Sequence, residues 1–397
     1  MNGKQDQLMK RYMPGIDGLR AISVLAVIAY HFNMKWAQGG FMGVGVFFVL
    51  SGYLITDQIL QEWAINHSLS IKKFWIRRLR RLLPAMVFML LAVTLWLLFT
   101  DPARLISLKG DIASSIFYMN NWYLIFHKVS YFESFGPASP IGHLWSLSIE
   151  EQFYMIWPLA IWFVLKLSPR RGELMLFILI LSFVSAVAMA ALYVPGTDPS
   201  RIYYGTDTRA FAILIGAALA AGWPSWKRSE RLSASSRRLL DITGGIALVI
   251  ILVLICLTNE YDDSLYPFGF LFLSLISAAV IAVLAHPASR LSGILGCRPL
   301  AWIGKRSYSL YIWHYPVIIL MNANSANERP GLIQMLLQFT VIVLLAVVSY
   351  KYIEEPVRRG GFRAQLLSLK SRFSFKPMIG FVVIIILFFR LVTWITY

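Results

Sequence analysis

An arginine and a histidine with ten residues between them, Arg20 and His31, share one apolar stretch, GIDGLRAISVLAVIAYHFN. Ionisable side chains are unfavourable at membrane depth, so they normally mark a pathway, a relay or a reaction centre. An imidazole there can serve as a general base, or can simply hydrogen-bond a neighbouring helix. A second stretch, HLWSLSIEEQFYMIWP, carries His143, Ser146, Ser148, Glu150, Glu151 and Tyr154. At i, i+4 spacing Ser146, Glu150 and Tyr154 share one helical face with His143. A carboxylate beside an imidazole fixes its tautomer and raises its basicity, so Glu150 beside His31 would make a general-base pair. Adjacent acids point in different directions on a helix. One of Glu150 and Glu151 can therefore serve chemistry while the other pairs with an arginine.

Four guanidinium groups, Arg77, Arg78, Arg80 and Arg81, sit in KKFWIRRLRRLLP and would cover several faces of a short amphipathic helix. Guanidinium binds phosphate bidentately, so they suit a phosphorylated cytoplasmic donor or lipid headgroups. In YYGTDTRAFAILIG, Asp207 and Arg209 either clamp a sugar or pair with each other. The segment SYSLYIWHYP holds Tyr308, Tyr311, His314 and Tyr315; its tyrosines read as an interfacial belt, but His314 lies too deep for one. His143 fits an interfacial cap as well as it fits chemistry. His67, His127 and His286 fall in loops or at span ends and receive no role. Neither a Walker motif nor zinc-ligand spacing is present, and Cys256 and Cys297 make no CxxC pair. The glycines of GGFMGVGVFFVLSG read as small residues easing helix contact.

The elements that must position these residues are membrane helices. Of the 397 residues, 58% are hydrophobic and 14% charged, and mean hydropathy is +0.64. Long apolar runs follow one another, without the alternation of a β-barrel, so the expected fold is an all-α polytopic transmembrane bundle. Ten core spans are expected near 16–34, 42–60, 82–100, 143–165, 174–194, 209–224, 239–258, 267–285, 308–323 and 332–353. A cytoplasmic linker over 361–377 would lead to an eleventh span, 378–397. The first run lacks a small-residue cleavage site and reads as an uncleaved span. No internal repeat is evident.

Net charge is +17, and its placement is informative. The connecting segments on the N-terminal side of the membrane hold 27 Lys and Arg, those on the opposite side 6. The positive-inside rule puts the N-terminus in the cytoplasm and, after eleven spans, the C-terminus outside. The basic excess is thus a topology signal and a lipid contact, which argues against nucleic acid as a partner. At ~1.5 Å per helical residue, His31 lies about 22 Å from the cytoplasmic start of its span. Glu150 falls about 10 Å below the outer end of its own, which puts the two at similar depth.

These motifs also carry a resemblance. YMPGIDGLRAISVLAVIAYHF, GGFMGVGVFFVLSGYLIT, FWIRRLRRLLPA, HLWSLSIEEQFYMIWP, TDTRAFAILIGAALA, IGKRSYSLYIWHYP and YIEEPVRR resemble, in order and spacing, the acyltransferase-3 membrane proteins, and among them the OatA/OafA-like O-acetyltransferases. The resemblance covers residues 12–360. It implies a membrane domain that takes acetyl from cytoplasmic acetyl-CoA and delivers it to hydroxyls of an extracytoplasmic glycan. In the family's R-x10-H signature the matching pair is Arg20 and His31. Its arginine-rich motif matches Arg77–Arg81, and its SxxEEQFY-type helix matches Ser148, Glu150 and Glu151. Many relatives carry a polar residue, often Asp or Thr, where this chain has Gly45. OatA-like proteins continue beyond the last helix into an SGNH-type esterase domain, and this chain stops where that domain would start.

The resulting expectation is an acetyl-CoA-dependent O-acyltransferase of the cell membrane that needs no metal. His31 and Glu150 would be catalytic; Arg20, Arg77, Arg78, Arg80 and Arg81 would hold CoA phosphates. Ser148, Glu151, His143, Asp207, Arg209, Tyr308, Tyr311 and His314 would support the substrate. Peptidoglycan is the leading acceptor, with an exported polysaccharide or glycoside as the alternative. A proton-coupled acyl conduit without chemistry of its own is the reading from a different class, and a structural scaffold is a third.

Overall fold

The computed structural model describes residues 12–132, 138–168, 170–229, 231–322 and 331–358. Among the described residues there is no strand, and the fold is all-α. Ten helices have fifteen or more residues: α1 (Pro14–His31), α2 (Met42–Asn66), α3 (Ile71–Thr100), α4 (Trp145–Leu167), α5 (Arg171–Leu192), α6 (Thr206–Gly222), α7 (Ala234–Leu257), α8 (Phe270–Leu284), α9 (Ser307–Met321) and α10 (Leu332–Ser349). Each overlaps one of the ten apolar runs. The linker 361–377 and the run 378–397 lie outside the described residues.

Among the described residues, six helical segments are long and apolar enough to cross a membrane: α2, α3, α5, α7, Leu265–Leu284 around α8, and Leu332–Arg358 around α10. Of the others, α6 and α9 are shorter, and α1 and α4 carry Asp17, Arg20, Glu150 and Glu151 within them. The outward face of α5 exposes Leu176, Ile180, Phe183 and Val187, and that of α7 exposes Leu239, Ile242, Ile246 and Val253. Apolar surface on that scale is stable against lipid rather than water. The chain is a multi-pass membrane protein.

The described residues fall into two compact units. One comprises residues 12–71, 121–132 and 145–307, and holds α1, α2 and α4–α8. Its closest packing is between α2 and α6. A Cβ at Gly52 would strike the Ile213 carbonyl, and one at Gly216 the Val49 carbonyl, so the two backbones touch. Small residues at such a crossing let membrane helices approach closely. Ser185 joins α5 to α6, accepting from the Phe211 N–H at 3.0 Å and donating to the Asp207 carbonyl at 2.6 Å. Asp57 in the second half of α2 is buried, and accepts from the Ser225 N–H (3.0 Å) and hydroxyl (2.6 Å). A buried carboxylate is tolerated only with donors of this kind.

Helix α1 starts with Pro14, whose missing N–H is harmless in a first turn. It ends at His31 because Asn33 turns left-handed (φ 54°), and the N–H groups of Asn33 and Met34 return to the carbonyls of Tyr30 and Ala29. The histidine therefore stands on the last turn, next to the loop that follows.

Residues 72–120, 138–144 and 308–358 make the second unit, with α3, α9 and α10. Here α3 runs unbroken for 30 residues through Pro84. The four arginines thus occupy the opening turns of a long membrane helix, not a separate short one. Tyr308 on α9 donates to the Leu82 carbonyl of α3 at 2.7 Å, and Trp313 meets Phe88 edge-on at 5.7 Å. Gln334 and Gln338 of α10 both donate to Asn322 (2.9 and 2.7 Å), and Ser309 donates to Glu354.

Candidate functional site

In the first unit the end of α1 meets an aromatic cluster. His31 is half-buried, and its Nδ1 lies 2.9 Å from the Val27 carbonyl. A carbonyl only accepts, so Nδ1 carries the proton, and in the neutral ring Nε2 is left with its lone pair. The Tyr131 hydroxyl stands 3.5 Å from that Nε2. Tyr131 comes from the segment after the short helix Asn120–Phe126, and its ring packs on Tyr203 (4.7 Å between centroids) and Trp145 (6.0 Å). Tyr30, Phe41, Phe132 and Phe270 extend the cluster. Sequence reading missed Tyr131 and Tyr203, since tyrosines in a loop and a short helix carry no spacing signal toward His31.

Helix α4 brings its polar residues into the same unit. Glu150 accepts from the Tyr154 hydroxyl at 3.0 Å, the i, i+4 pairing read from the sequence. Ser148 and Glu151 are both buried. Gln152, given no role by the sequence, is the hub of a network. It donates to Asn121 at 3.0 Å and accepts from Thr206 at 2.6 Å, and Asn121 donates in turn to the Tyr204 carbonyl at 3.0 Å. The network ties α4, α6 and the Asn120–Phe126 helix together beside Tyr203 and Tyr204. Gln152, Tyr204 and Thr206 lie in the quoted motifs and Asn121 in none, and the partners are 31 to 85 positions apart, beyond any local pattern.

Asp207 and Arg209 do not pair. Asp207 is half-exposed and takes both Nη atoms of Arg201, at 3.1 and 2.9 Å. Arg209 is 0% exposed and sits among rings, its Cζ 3.9 Å from the centre of Phe270, 5.1 Å from Tyr203 and 5.5 Å from Phe48. Two residues apart on a helix, the side chains look in different directions.

Near the start of α1, Arg20 lies 3.9 Å from Asp17, which also accepts from Tyr12 at 2.9 Å. Glu260, in the loop after α7, is partly buried. Burial pushes its carboxyl above the ordinary 4.5, and a hydrogen bond from Tyr30 pulls the other way.

In the second unit Arg77 and Arg80 are exposed, Arg78 and Arg81 half-buried, and Arg78 packs over Phe74 at 5.5 Å. His143 and His314 come together, edge to face at 5.4 Å, with Tyr311 and Tyr315 at 5.5 and 5.3 Å from His143. Tyr311 donates to the His143 carbonyl at 3.1 Å. Both histidines and Tyr308 and Tyr311 are buried, which corrects the belt reading. Among the described residues, no three of His, Cys, Asp and Glu converge as a metal site requires.

A family model described as an acyltransferase domain, that of acyltransferase family 3, matches residues 13–351. The peptidoglycan O-acetyltransferase OatA of Listeria monocytogenes is 48% identical over 353 residues, 89% of this chain and 57% of that protein. The putative peptidoglycan O-acetyltransferase YrhL of Bacillus subtilis is 48% identical over 355 residues, 89% of this chain and 56% of that one. The O-acetyltransferase OatA of Staphylococcus aureus strain MRSA252 is 38% identical over 377 residues, 95% of this chain and 62% of its own. The chain thus spans about three-fifths of the length of the curated relatives it matches. No solved structure matches.

Proposed function

We propose that this chain, which belongs to the acyltransferase-3 family, takes acetyl from cytoplasmic acetyl-CoA and passes it across the membrane for O-acetylation of an extracytoplasmic glycan, peptidoglycan first among them. The observation that carries the reading is His31. Its Nδ1–H is committed to the Val27 carbonyl, so Nε2 carries the lone pair that takes a proton, beside the Tyr131 hydroxyl and the aromatic cluster.

In the proposed reaction an acceptor hydroxyl attacks the thioester carbonyl while His31 Nε2 takes its proton. The tetrahedral intermediate collapses, the C–S bond breaks, and the sulfur leaves with that proton. Glu150, held by Tyr154, acts as the second polar group of the pair, with Ser148 and Glu151 behind it on α4. Arg20 in the first unit and, separately, Arg77, Arg78, Arg80 and Arg81 in the second are assigned to CoA phosphates, on the cytoplasmic side by the positive-inside reading of the loops. His143, His314, Tyr308 and Tyr311 support the second unit. Asp207 contributes through Arg201. The length by which the relatives exceed this chain is where an SGNH-type domain would receive the acetyl group.

The test is release of free CoA from acetyl-CoA by the purified protein, followed with a thiol reagent. Wild type is expected to turn over, and His31→Ala to lose turnover while still binding CoA in a thermal-shift titration. Equal rates in the two proteins would refute His31 as base. CoA binding without turnover in wild type, with proton-linked transport in vesicles, would favour the conduit reading instead.

A further inference from the structure

Arg209 is the most deeply buried charge in the first unit, and no step above uses it. Its Nε, Nη1 and Nη2 have no hydrogen-bond partner among the described residues. The three rings around it answer only the faces of the guanidinium plane. Five N–H donors point outward in that plane and need oxygen acceptors, which ring faces do not supply. Asp207, the nearest acid in sequence, is already taken by Arg201.

The bare backbone nearest these donors is Gly45 of α2, with the buried Leu273 side chain beside it. A Cβ there would stand 3.8 Å from Nη2 and 2.9 Å from the Leu273 Cδ2, and the latter is the tip of a flexible side chain. Rotation of Leu273 would therefore clear a small volume between the bare backbone of Gly45 and the guanidinium. One wall carries charge with donors and is ringed by Phe48, Tyr203 and Phe270; Gly45 and Leu273 supply the rest. That combination matches a short carboxylate: two oxygens meet two parallel N–H groups, and the methyl lies on a ring face. The cluster also runs from Tyr203, in contact with Arg209, through Tyr131 to His31.

We infer that Arg209 and the space over Gly45 form a subsite for the oxygens of a two-carbon acyl group. Its ligand is acetate, or the acetyl carbonyl of a thioester brought to the same donors. Assignment to the acyl group rests on the acetyl-transfer reading; the anion site itself rests on geometry.

The experiment measures the thermal midpoint of the purified full chain in sodium acetate against sodium chloride at equal ionic strength, with CoA added in parallel. Wild type is expected to gain an acetate-specific rise. Arg209→Met should lose that rise and keep the CoA response. Gly45→Asp retains the guanidinium but supplies an internal carboxylate, so it should also lose the acetate response, with a higher midpoint in chloride. Acetyl-CoA turnover by Arg209→Met should fall about 10²–10³-fold, the usual effect of removing a donor to a developing oxyanion. No acetate-specific rise in wild type, or a rise that survives either substitution, overturns the free-acetate site. Turnover by Arg209→Met within twofold of wild type overturns the carbonyl role. If Arg209→Met does not fold, Gly45→Asp decides both points, because its carboxylate occupies the donors and should lower turnover in the same way; turnover within twofold of wild type would then overturn the carbonyl role. Wild type that responds to acetate but never consumes acetyl-CoA would leave the subsite standing and remove the acetyl-transfer reading.

Discussion

Each unit sets imidazole among tyrosines, one half-buried ring in the first and two buried rings in the second, but the two clusters use their hydroxyls differently. Around His143 and His314, Tyr311 donates to the His143 carbonyl and Tyr308 to the Leu82 carbonyl. Those phenols are committed to backbone, and both histidines are sealed, at 2% and 0% exposure. At the end of α1 the backbone carbonyl of Val27 engages the imidazole itself, and a phenol, Tyr131, faces its other nitrogen. His31 is half-buried, so a reacting group can approach it. Chemistry and cohesion can be built from the same residue types; what separates them is which atoms are already spoken for.

The largest effect that would test this contrast comes from the histidines. His31→Ala is expected to lower acetyl-CoA turnover about 10²–10⁴-fold, the usual contribution of a general base, with little change in thermal midpoint. His143→Ala should do the reverse, destabilising by about 2–4 kcal/mol through the cavity its ring leaves, with turnover per folded molecule near wild type. Thermal unfolding and turnover on the same preparations decide it. A large activity loss in folded His143→Ala would place chemistry in both clusters.

The tyrosines sharpen the contrast with smaller numbers. Tyr308→Phe leaves the Leu82 carbonyl without its donor and should cost about 1 kcal/mol of stability, with turnover unchanged. Tyr131→Phe removes the hydroxyl facing Nε2 and should change turnover about 2–10-fold, the kinetic equivalent of one hydrogen bond, at nearly constant stability. If the two substitutions behave alike, the distinction between a phenol that serves the backbone and one that faces an imidazole is wrong.

Much of this could be read from the sequence. Runs of about twenty apolar residues leave little choice but helices in a bilayer, so each of α1 to α10 overlaps an expected run. Boundaries were less legible: α6 begins at Thr206, not 209, because Gly205 is extended (ψ 127°) and caps it. The i, i+4 pair Glu150 and Tyr154 was readable because helical geometry alone dictates it. Asp207 with Arg209 failed on the same geometry, since i, i+2 side chains diverge. The Gln152–Asn121–Thr206 network and the approach of Tyr131 to His31 were not readable, because both join segments that no local rule brings together. Asp57 was equally unreadable, since its donors come from Ser225, 168 positions away.

The smallest expected effect concerns Glu260, a charge in the first unit with no counterpart among the paired phenols of the second. Burial raises its carboxyl above the ordinary 4.5, so the folded chain holds that proton more tightly than the unfolded chain. Its contribution to stability is therefore complete below about 4.5, and is lost as pH rises through the folded value. Glu260→Gln removes the titration but keeps a group able to accept from Tyr30. Between pH 4 and pH 7 the midpoint of wild type should fall relative to that of the variant, and subtraction cancels every other carboxylate common to both. The variant should pull ahead only above the ordinary carboxylate range. A constant difference across the window would mean that Glu260 titrates as it does in the unfolded chain, and that its burial beside Tyr30 leaves its charge as well solvated as water does.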